Sequence, residues 1–285
     1  MPDKFSATWV SHSSMSDYIE CPRAYYLKNV YKDSNTGHKI TIITPALALG
    51  QTVHEQLEAL SVLPVEQRNL EELVGNFQKK WAGVSGEKGG FTSEKQEYLY
   101  KQRGEDMLRR VMKHPGPFKK KAVKIQKDLL HYWLSEEEEI ILCGKIDWME
   151  YLPDEDAVHI IDFKTGQRKQ EGSLQLPIYY LLAVNSQKRT VKKMSYWYLA
   201  LDDDLTFFEL PDPEEAFREV LGIARKIKLA RQLQKFDCPR QGCRQCKPFE
   251  RVVRGEGKLI GEDDFRRDMY VLPDLSEEEA EEVIL

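Results

Sequence analysis

The chain has 285 residues, 41% of them hydrophobic and 31% charged, and this balance excludes a largely disordered protein. Lys and Arg number 42 against 47 Asp and Glu, a formal net charge of −5, which excludes a uniformly basic nucleic-acid-binding surface but not local basic patches. Because the sequence has no apolar run of bilayer length and begins without an apolar signal segment, we expect a cytoplasmic or nucleoid-associated protein without a membrane partner, and a phage-encoded origin stays open.

The first part of the chain is predicted to be helical. Helices are predicted over residues 11–31, 44–60, 66–82 and 93–113 from apolar side chains at helical spacing. Pro22 should break the first of them. Thr44 is a suitable N-cap for the second, with Pro45 at its first position. We interpret residues 65–115 as a helical insertion.

From about residue 121 the apolar residues follow the alternating pattern that is typical of β-strands. Strands are predicted over residues 121–133, 139–150, 157–164, 194–201 and 204–210, and helices over 173–185 and 212–234. Short turns join the first three strands, and a helix crosses over to the fourth. The predicted fold class is therefore α/β, with a central mixed β-sheet flanked by helices and an N-terminal helical region. We place a single domain over residues 1–250 and interpret the polar, acidic segment 251–285 as a tail.

Two acidic residues and a lysine are predicted to meet on neighbouring strands. Asp162 and Lys164 share one face of their strand because strand side chains alternate, and a hairpin can bring Asp147 beside Asp162. Adjacent carboxylates repel each other unless a cation lies between them, and oxygen ligands suit Mg²⁺ or Mn²⁺. A nearby lysine can stabilise a developing oxyanion, which suits metal-assisted hydrolysis of a phosphodiester. The alternative is that these acids are merely solvated at strand ends.

Three further residues accompany this set. His54 lies at the edge of the apolar face of its helix, as either a satisfied core residue or a softer ligand for the same ion. Gln175 and Tyr179 share a helical face. They either reach DNA or the lysine, or are simply exposed polar groups.

Four sequence blocks occur in one order. They are Gly50-x-x-Val53-His54, Gly144-x-x-Asp147, Asp162-Phe163-Lys164-Thr165-Gly166 and Gln175-x-x-x-Tyr179. This series resembles the RecB-type branch of the PD-(D/E)XK nuclease superfamily, which implies a restriction-endonuclease-like core. The resemblance implies that His54, Asp147 and Asp162, with the main-chain carbonyl of Phe163, bind Mg²⁺ or Mn²⁺. It also implies that Lys164 is the catalytic lysine, and that Gln175 and Tyr179 support it and the DNA.

The cysteines form a second candidate site. Cys238, Cys243 and Cys246 lie close together in sequence, which indicates a thiolate metal site, and Cys21 is the candidate fourth ligand. Cys143 is interpreted as a small core residue. An early cysteine followed by three late ones resembles the iron–sulfur nucleases, including AddB and the CRISPR-associated adaptation nucleases, which implies a 4Fe–4S cluster. The order Cys-x4-Cys-x2-Cys differs from these relatives, so structural Zn²⁺ is the alternative, and free surface thiols are a further one.

Residues that could contact DNA are scattered along the chain. Basic residues occur in three groups, Lys119–Lys121 with Lys124, Arg225 with Lys226, Lys228 and Arg231, and Arg240 with Arg244 and Lys247. Tyr25, Tyr26, Tyr179 and Tyr180 could either stack on bases of a single strand or pack in the core.

These residues and the resemblance predict a metal-dependent deoxyribonuclease. We expect an exonuclease on single-stranded or frayed DNA ends, in DNA repair, recombination or CRISPR adaptation. The sequence has no GxxxxGK[ST] motif, so unwinding would require a helicase or a recombination or adaptation protein as partner. Two alternatives stay open: a non-catalytic DNA-binding or scaffold subunit of a recombination complex, and a structure-specific endonuclease.

Overall fold

The computed structural model describes residues 3–123, 129–169, 172–272 and 274–275. The α-helices are α1 (His12–Glu20), α2 (Pro22–Tyr25), α3 (Pro45–Glu58), α4 (Leu73–Trp81), α5 (Glu94–Lys113), α6 (Gln175–Ser186), α7 (Pro213–Leu233) and α8 (Lys247–Val253). The strands are β1 (Thr8–Val10), β2 (Lys39–Ile42), β3 (Leu130–Ser135), β4 (Ile140–Gly144), β5 (Trp148–Leu152), β6 (Ala157–Lys164), β7 (Thr190–Tyr198), β8 (Thr206–Phe208), β9 (Lys258–Glu262) and β10 (Arg267–Val271). The predicted α/β class with mixed sheets is confirmed.

The chain forms two compact units, each assembled from segments that are distant in sequence. The first unit consists of Met1–His12, Gly50–Lys79 and Gln102–Arg225, and the second of Ser13–Leu49, Lys80–Lys101 and Lys226–Leu285. The predicted single domain over residues 1–250 stays a prediction. Within the described residues, each helix is too short or too polar to traverse a bilayer.

Local sequence signals explain several helix boundaries. The first predicted helix is broken as expected, since α1 ends at Glu20 and α2 begins at Pro22. The Thr44 hydroxyl accepts the Leu47 N–H at 3.2 Å and caps α3. The carboxylate of Asp212 accepts two main-chain N–H groups of α7, at 3.0 and 2.8 Å. These caps satisfy N–H groups that have no partner within the helix.

Two sheets belong to the first unit. One has the order β1-β4-β3, parallel between β1 and β4 and antiparallel between β4 and β3. The other has the order β5-β6-β7-β8, in which only β6 and β7 are parallel. Helix α6 connects these two parallel strands and packs against β3, β4 and β7. The predicted hairpins and the crossover helix are therefore present.

Two predicted strands differ from the structure. The strand predicted at 121–133 begins at Leu130, and residues 124–128 lie outside the described part of the chain. The strand predicted at 139–150 is divided into β4 and β5, which belong to different sheets. Continuing the antiparallel register of β5 and β6 would place Asp147 opposite Asp162. Instead the Asp147 carboxylate accepts the Phe163 N–H at 2.9 Å, and this side-chain bond ends the ladder and leaves Asp147 in a loop.

An aromatic cluster fixes the position of β6 in the first unit. The ring of Phe163 lies 5.5 Å from that of Phe118, 6.4 Å from that of Trp148 and 6.3 Å from that of Trp197. All four side chains are buried, and burying each contributes about 1.5–3 kcal/mol. Because strand side chains alternate, this packing directs the neighbours of Phe163 to the opposite face.

The second unit contains the sheet β2-β10-β9, with β10 parallel to β2 and antiparallel to β9. The prediction of a tail from residue 251 is therefore wrong for residues 251–272, which form the end of α8, β9 and β10. The physical reason is the apolar run Met269–Leu272: Met269 and Tyr270 pair with β2, and Val271 and Leu272 are buried. The acidic stretch 276–285 lies outside the described residues.

Candidate active site

Elements of the first unit carry the predicted catalytic and metal-binding residues. His54 lies on α3, Asp147 in the loop between β4 and β5, Asp162, Phe163 and Lys164 on β6, and Gln175 and Tyr179 on α6. The contacts described below show that these side chains meet around the end of β6.

His54 contacts two carboxylates. Its Nδ1 atom lies 3.3 Å from Asp147 Oδ2 and 3.9 Å from Glu58 Oε1, and one ligand atom from each residue lies within 4.8 Å of the others. Lys145 forms an ion pair with the second oxygen of Glu58. Glu58 was not among the predicted site residues. Its position one helical turn after His54, on the same face, is the sequence signal that could have found it.

Lys164 and Asp162 belong to a closed hydrogen-bond network. Lys164 Nζ lies 2.9 Å from Asp162 Oδ2 and also donates to the side-chain carbonyl of Gln175. The Gln175 amide donates to Asp162 Oδ1 at 2.8 Å and to the Tyr179 hydroxyl at 3.0 Å. Lys164 Nζ also lies 4.7 Å from the centre of the Tyr196 ring, a cation–π contact. The lysine is therefore held from three sides.

The two aspartates have opposite electrostatic properties. Burial raises the pKa of Asp162 to about 7, and the charge of Asp147 adds to the rise. Burial also disfavours the charged form of Asp147, but His54 and the Phe163 N–H outweigh it and lower the Asp147 pKa. Burial lowers the pKa of His54, whereas Asp147 more than compensates and brings it to about 9. Two buried carboxylates that repel each other are the condition that a divalent cation relieves.

The donor set fits such a cation. One imidazole and neighbouring carboxylates are ligands that Mn²⁺ accepts, and carboxylates suit Mg²⁺. Asp162 Oδ2 has the Lys164 ammonium as its partner at 2.9 Å, and this oxygen could also face a bound cation. His54 would have to release a proton to become a ligand. The ligand set His54, Asp147, Asp162 and the Phe163 carbonyl stays a prediction.

The four predicted cysteine ligands lie together in the second unit. Cys21 precedes α2, and Cys238, Cys243 and Cys246 lie between α7 and α8. One ligand atom from each lies within 4.8 Å of the others. Cys143 belongs to β4 and lies outside this group, half-buried, and burial raises its pKa to about 11.

The cysteine cluster has the electrostatics and the dimensions of a metal site. Burial would raise the pKa of Cys238, but main-chain N–H groups, including that of Gly242 at 3.3 Å, stabilise its thiolate and lower the pKa to about 7. Burial raises the pKa of Cys21 to about 11, so a cation would be needed to hold its thiolate. Cys243 Sγ and Cys246 Sγ lie 3.7 Å apart. Sulfurs on one tetrahedral Zn²⁺ with bonds of about 2.3 Å are about 3.8 Å apart.

Several residues predicted to contact DNA have other partners. Tyr25 and Tyr179 are only 1% and 7% exposed, so neither can stack on a base. Lys120 forms an ion pair with Glu150 at 2.8 Å. The guanidinium of Arg225 binds the carboxylate of Glu138, and Lys124 lies outside the described residues.

Comparison with known families gives one result for this chain. The family model described as the PD-(D/E)XK nuclease superfamily matches residues 9–250. The matched segment contains the candidate active-site residues and all four clustered cysteines. No curated protein sequence matches the chain.

Proposed function

The chain belongs to the PD-(D/E)XK nuclease superfamily, and from this membership we propose that it is a Mg²⁺- or Mn²⁺-dependent deoxyribonuclease. We propose that it acts as an exonuclease on single-stranded or frayed DNA ends, with a helicase or a recombination or adaptation protein as partner. The membership supports a metal-dependent nuclease that binds DNA. The exonuclease mode, the substrate and the partner are our proposal.

One observation carries the proposal. Two buried carboxylates, Asp147 and Asp162, lie beside His54 on one side and the Lys164 ammonium on the other. The carboxylates and His54 would hold a divalent ion, which would supply Lewis acidity toward a phosphate and would acidify a water molecule. The acids of a merely solvated strand end would be exposed, whereas Asp147 and Asp162 are 8% and 2% exposed.

We assign different roles to the residues that surround Asp162. The Lys164 ammonium can donate to an oxygen that gains charge during phosphodiester cleavage. Gln175 acts as a positioning residue, because its amide contacts Lys164, Asp162 and Tyr179 at once. Tyr179 supports Gln175 from a buried position, because its hydroxyl accepts the Gln175 amide at 3.0 Å.

A groove in the first unit supports the proposed binding of a DNA strand. It has a volume of about 820 Å³ and is lined by Arg103, Arg109, Arg110 and Lys113, with Asp106 and Asp203 as the acidic residues among its lining. Cationic side chains therefore outnumber acidic ones in the lining, although Arg110 forms an ion pair with Asp203 at 2.9 Å and Arg109 forms ion pairs with Glu105 and Asp106 at 2.6 and 2.9 Å. Phosphate contacts of this kind give salt-dependent affinity with little sequence preference.

We also propose that the cysteine cluster binds a structural metal centre. The distance of 3.7 Å between the Cys243 and Cys246 sulfurs favours a single Zn²⁺ ion. In a 4Fe–4S cluster each thiolate binds a different iron, which spreads the sulfurs further apart. Absorption spectra and metal analysis of anaerobically purified protein distinguish the two: a brown protein containing iron would favour the cluster, and a colourless one containing zinc would favour the single ion.

The activity is tested with end-labelled single-stranded DNA in Mn²⁺ or in EDTA. We expect cleavage only with the metal, and resistance of a circular single strand if the enzyme needs an end. Asp162→Asn should abolish cleavage. Lys164→Ala should reduce the rate by about 100–1,000-fold, as for removal of one oxyanion donor, while DNA binding is retained.

The matched control is Lys192→Ala, which removes an exposed lysine of β7 whose ion pair with Glu155 is long, at 3.7 Å. This variant should cleave at the wild-type rate. Wild-type cleavage by Asp162→Asn or by Lys164→Ala would exclude this site as the catalytic centre.

A further inference from the structure

Three metal-ligating side chains that belong to neither candidate site meet at one end of the second unit's sheet. His38 immediately precedes β2, Glu262 is the last residue of β9, and Asp268 is the second residue of β10. Asp268 pairs with Glu262 across the antiparallel strands, so the two carboxylates project from the same face of the sheet. One ligand atom from each of the three residues lies within 4.8 Å of the others.

The distances between these atoms suit a single metal ion. His38 Nδ1 lies 3.0 Å from Asp268 Oδ1 and 3.5 Å from Glu262 Oε2. Ligand atoms on a tetrahedral ion with bonds of about 2.0–2.1 Å are about 3.3 Å apart. A hydrogen bond between His38 and Asp268 accounts for one carboxylate only, since a ring nitrogen carries a single proton. A metal ion bound to this nitrogen would hold both carboxylates at once.

A threonine fixes two of the three residues in place. The Thr36 hydroxyl donates to Asp268 Oδ2 at 2.6 Å and accepts the main-chain N–H of His38 at 3.2 Å. Asp268 is only 4% exposed, and this contact leaves its Oδ1 atom directed to His38. Partners that orient the ligands in this way are typical of metal sites. The Glu262 side chain is about half exposed, which leaves room for a water molecule as a further ligand.

We propose that His38, Glu262 and Asp268 bind a divalent transition-metal ion, with Zn²⁺ preferred, that joins β2, β9 and β10. One imidazole and two carboxylates are a ligand set that zinc accepts, with water in the remaining position. Zn²⁺ is preferred over Mg²⁺ because it readily accepts imidazole in a four-coordinate site, whereas Mg²⁺ demands near-ideal octahedral geometry. The proposal is independent of the proposed nuclease activity, because no residue is shared with the site around Asp162.

The test counts zinc bound to the full chain by equilibrium dialysis against Zn²⁺, with metal analysis of both compartments. Glu262→Gln and Asp268→Asn keep the size of each side chain but remove its charge. Each variant should bind one zinc ion fewer per chain than the wild type. Because the cysteines and the residues around Asp162 are intact in every sample, the difference reports this site alone.

His131→Gln is the matched control, since it removes a histidine of β3 that lies outside the three proposed ligands and in the other unit. It should bind as much zinc as the wild type. Added Zn²⁺ should also raise the melting temperature of the wild type and of His131→Gln more than that of Glu262→Gln, whose half-exposed side chain makes misfolding a poor explanation. Equal zinc counts in the wild type, Glu262→Gln and Asp268→Asn would overturn the proposal.

Discussion

The candidate active site of the first unit and the cysteine cluster of the second unit hold their candidate ligands in different ways. Each carboxylate of the active site has partners within the protein: Asp147 has His54 and a main-chain N–H, and Asp162 has Lys164 and Gln175. The cysteine sulfurs contact mainly one another and a few main-chain N–H groups. The protein compensates both carboxylates of the first site, whereas in the cysteine cluster main-chain N–H groups stabilise the Cys238 thiolate but burial raises the pKa of Cys21.

This difference predicts where a metal ion is needed for folding. Buried charges that already have ion-pair and hydrogen-bond partners do not need a cation to stay folded. Clustered thiols gain their strong interactions only as thiolates bound to a metal, so metal binding contributes directly to the free energy of folding. We therefore expect chelation to abolish catalysis in the first unit without unfolding it, and to destabilise the second unit.

The largest expected effect is that of Cys21→Ala. The proposed metal centre would link Cys21 to cysteines near the other end of the sequence, and a cross-link of that span stabilises by about 5 kcal/mol in the chain-entropy account. We expect the variant to lose the metal of the cysteine cluster and to unfold at a lower temperature. Metal analysis and thermal unfolding measure the two effects.

Cys143→Ala is the control for this experiment, because Cys143 is a half-buried cysteine outside the cluster. It should keep the metal and lose only a small part of the stability. The affinity of the active site for Mn²⁺ should be unchanged in both variants. If Cys21→Ala kept a full complement of metal in the cysteine cluster, the other three cysteines would be sufficient to bind it. That result would contradict the proposed role of Cys21 in linking the two ends of the sequence.

The second effect is expected in acid, where protonation of the buried side chain of His159 should destabilise the first unit. This histidine of β6 is 2% exposed, and its Nε2 lies 2.8 Å from Ser195 Oγ. Burial, with the charges of Lys193 and Lys120, lowers its pKa to about 4, against about 6.5 in an unfolded chain. Between these two values the unfolded state binds the extra proton, so stability should fall as the pH falls from 6.5 to 4, by about 2–3 kcal/mol.

Urea unfolding of the wild type and of His159→Gln from pH 7 to pH 4.5 measures this contribution. Glutamine does not titrate, so the stability advantage of the wild type over the variant should shrink as the pH falls. If the difference in unfolding free energy between the two proteins stayed constant across this pH range, protonation of His159 would not be the cause of the loss of stability in acid. Other groups would then be responsible.

Much of the candidate active site could be predicted from the sequence, because the regular spacing of side chains along a strand or a helix determines which of them share a face. Alternation along β6 places Asp162 and Lys164 on one face, where the structure finds them 2.9 Å apart. Helical spacing likewise places Gln175 and Tyr179 within hydrogen-bond distance. The same helical spacing places Glu58 beside His54, where the structure finds the two side chains 3.9 Å apart.

Two features that depend on distant main-chain partners were not predicted. The loop that holds Asp147 exists because its carboxylate bonds to the main chain of β6, and a strand pattern alone gives no indication of such a bond. Strand β10 pairs with β2 from the opposite end of the sequence. Residues 251–285 are polar on average, although they include the apolar run Met269–Leu272. The average composition of a long segment does not reveal a single short strand within it.

The smallest effect is expected for Gln175→Leu. This substitution removes the amide at the centre of the hydrogen-bond network around Asp162 but keeps a side chain of similar size. The ion pair of Lys164 and Asp162 remains, so the loss should be smaller than that in Lys164→Ala. We expect a 10–100-fold lower kcat, the range typical of residues that orient a ligand, with unchanged affinity for DNA. Rate and binding measurements on single-stranded DNA separate the two quantities.

The pH profile of Gln175→Leu distinguishes positioning from simple support of the fold. The Gln175 amide donates to Asp162 at 2.8 Å, and loss of this donor should raise the pKa of the carboxyl further above its usual range. The acid limb of the rate profile should therefore move to higher pH. Gln187→Leu, just beyond the end of the same helix, should leave both rate and profile unchanged. A lower rate with an unmoved profile would mean that Gln175 only supports the fold, and that the ion pair with Lys164 compensates Asp162 without it.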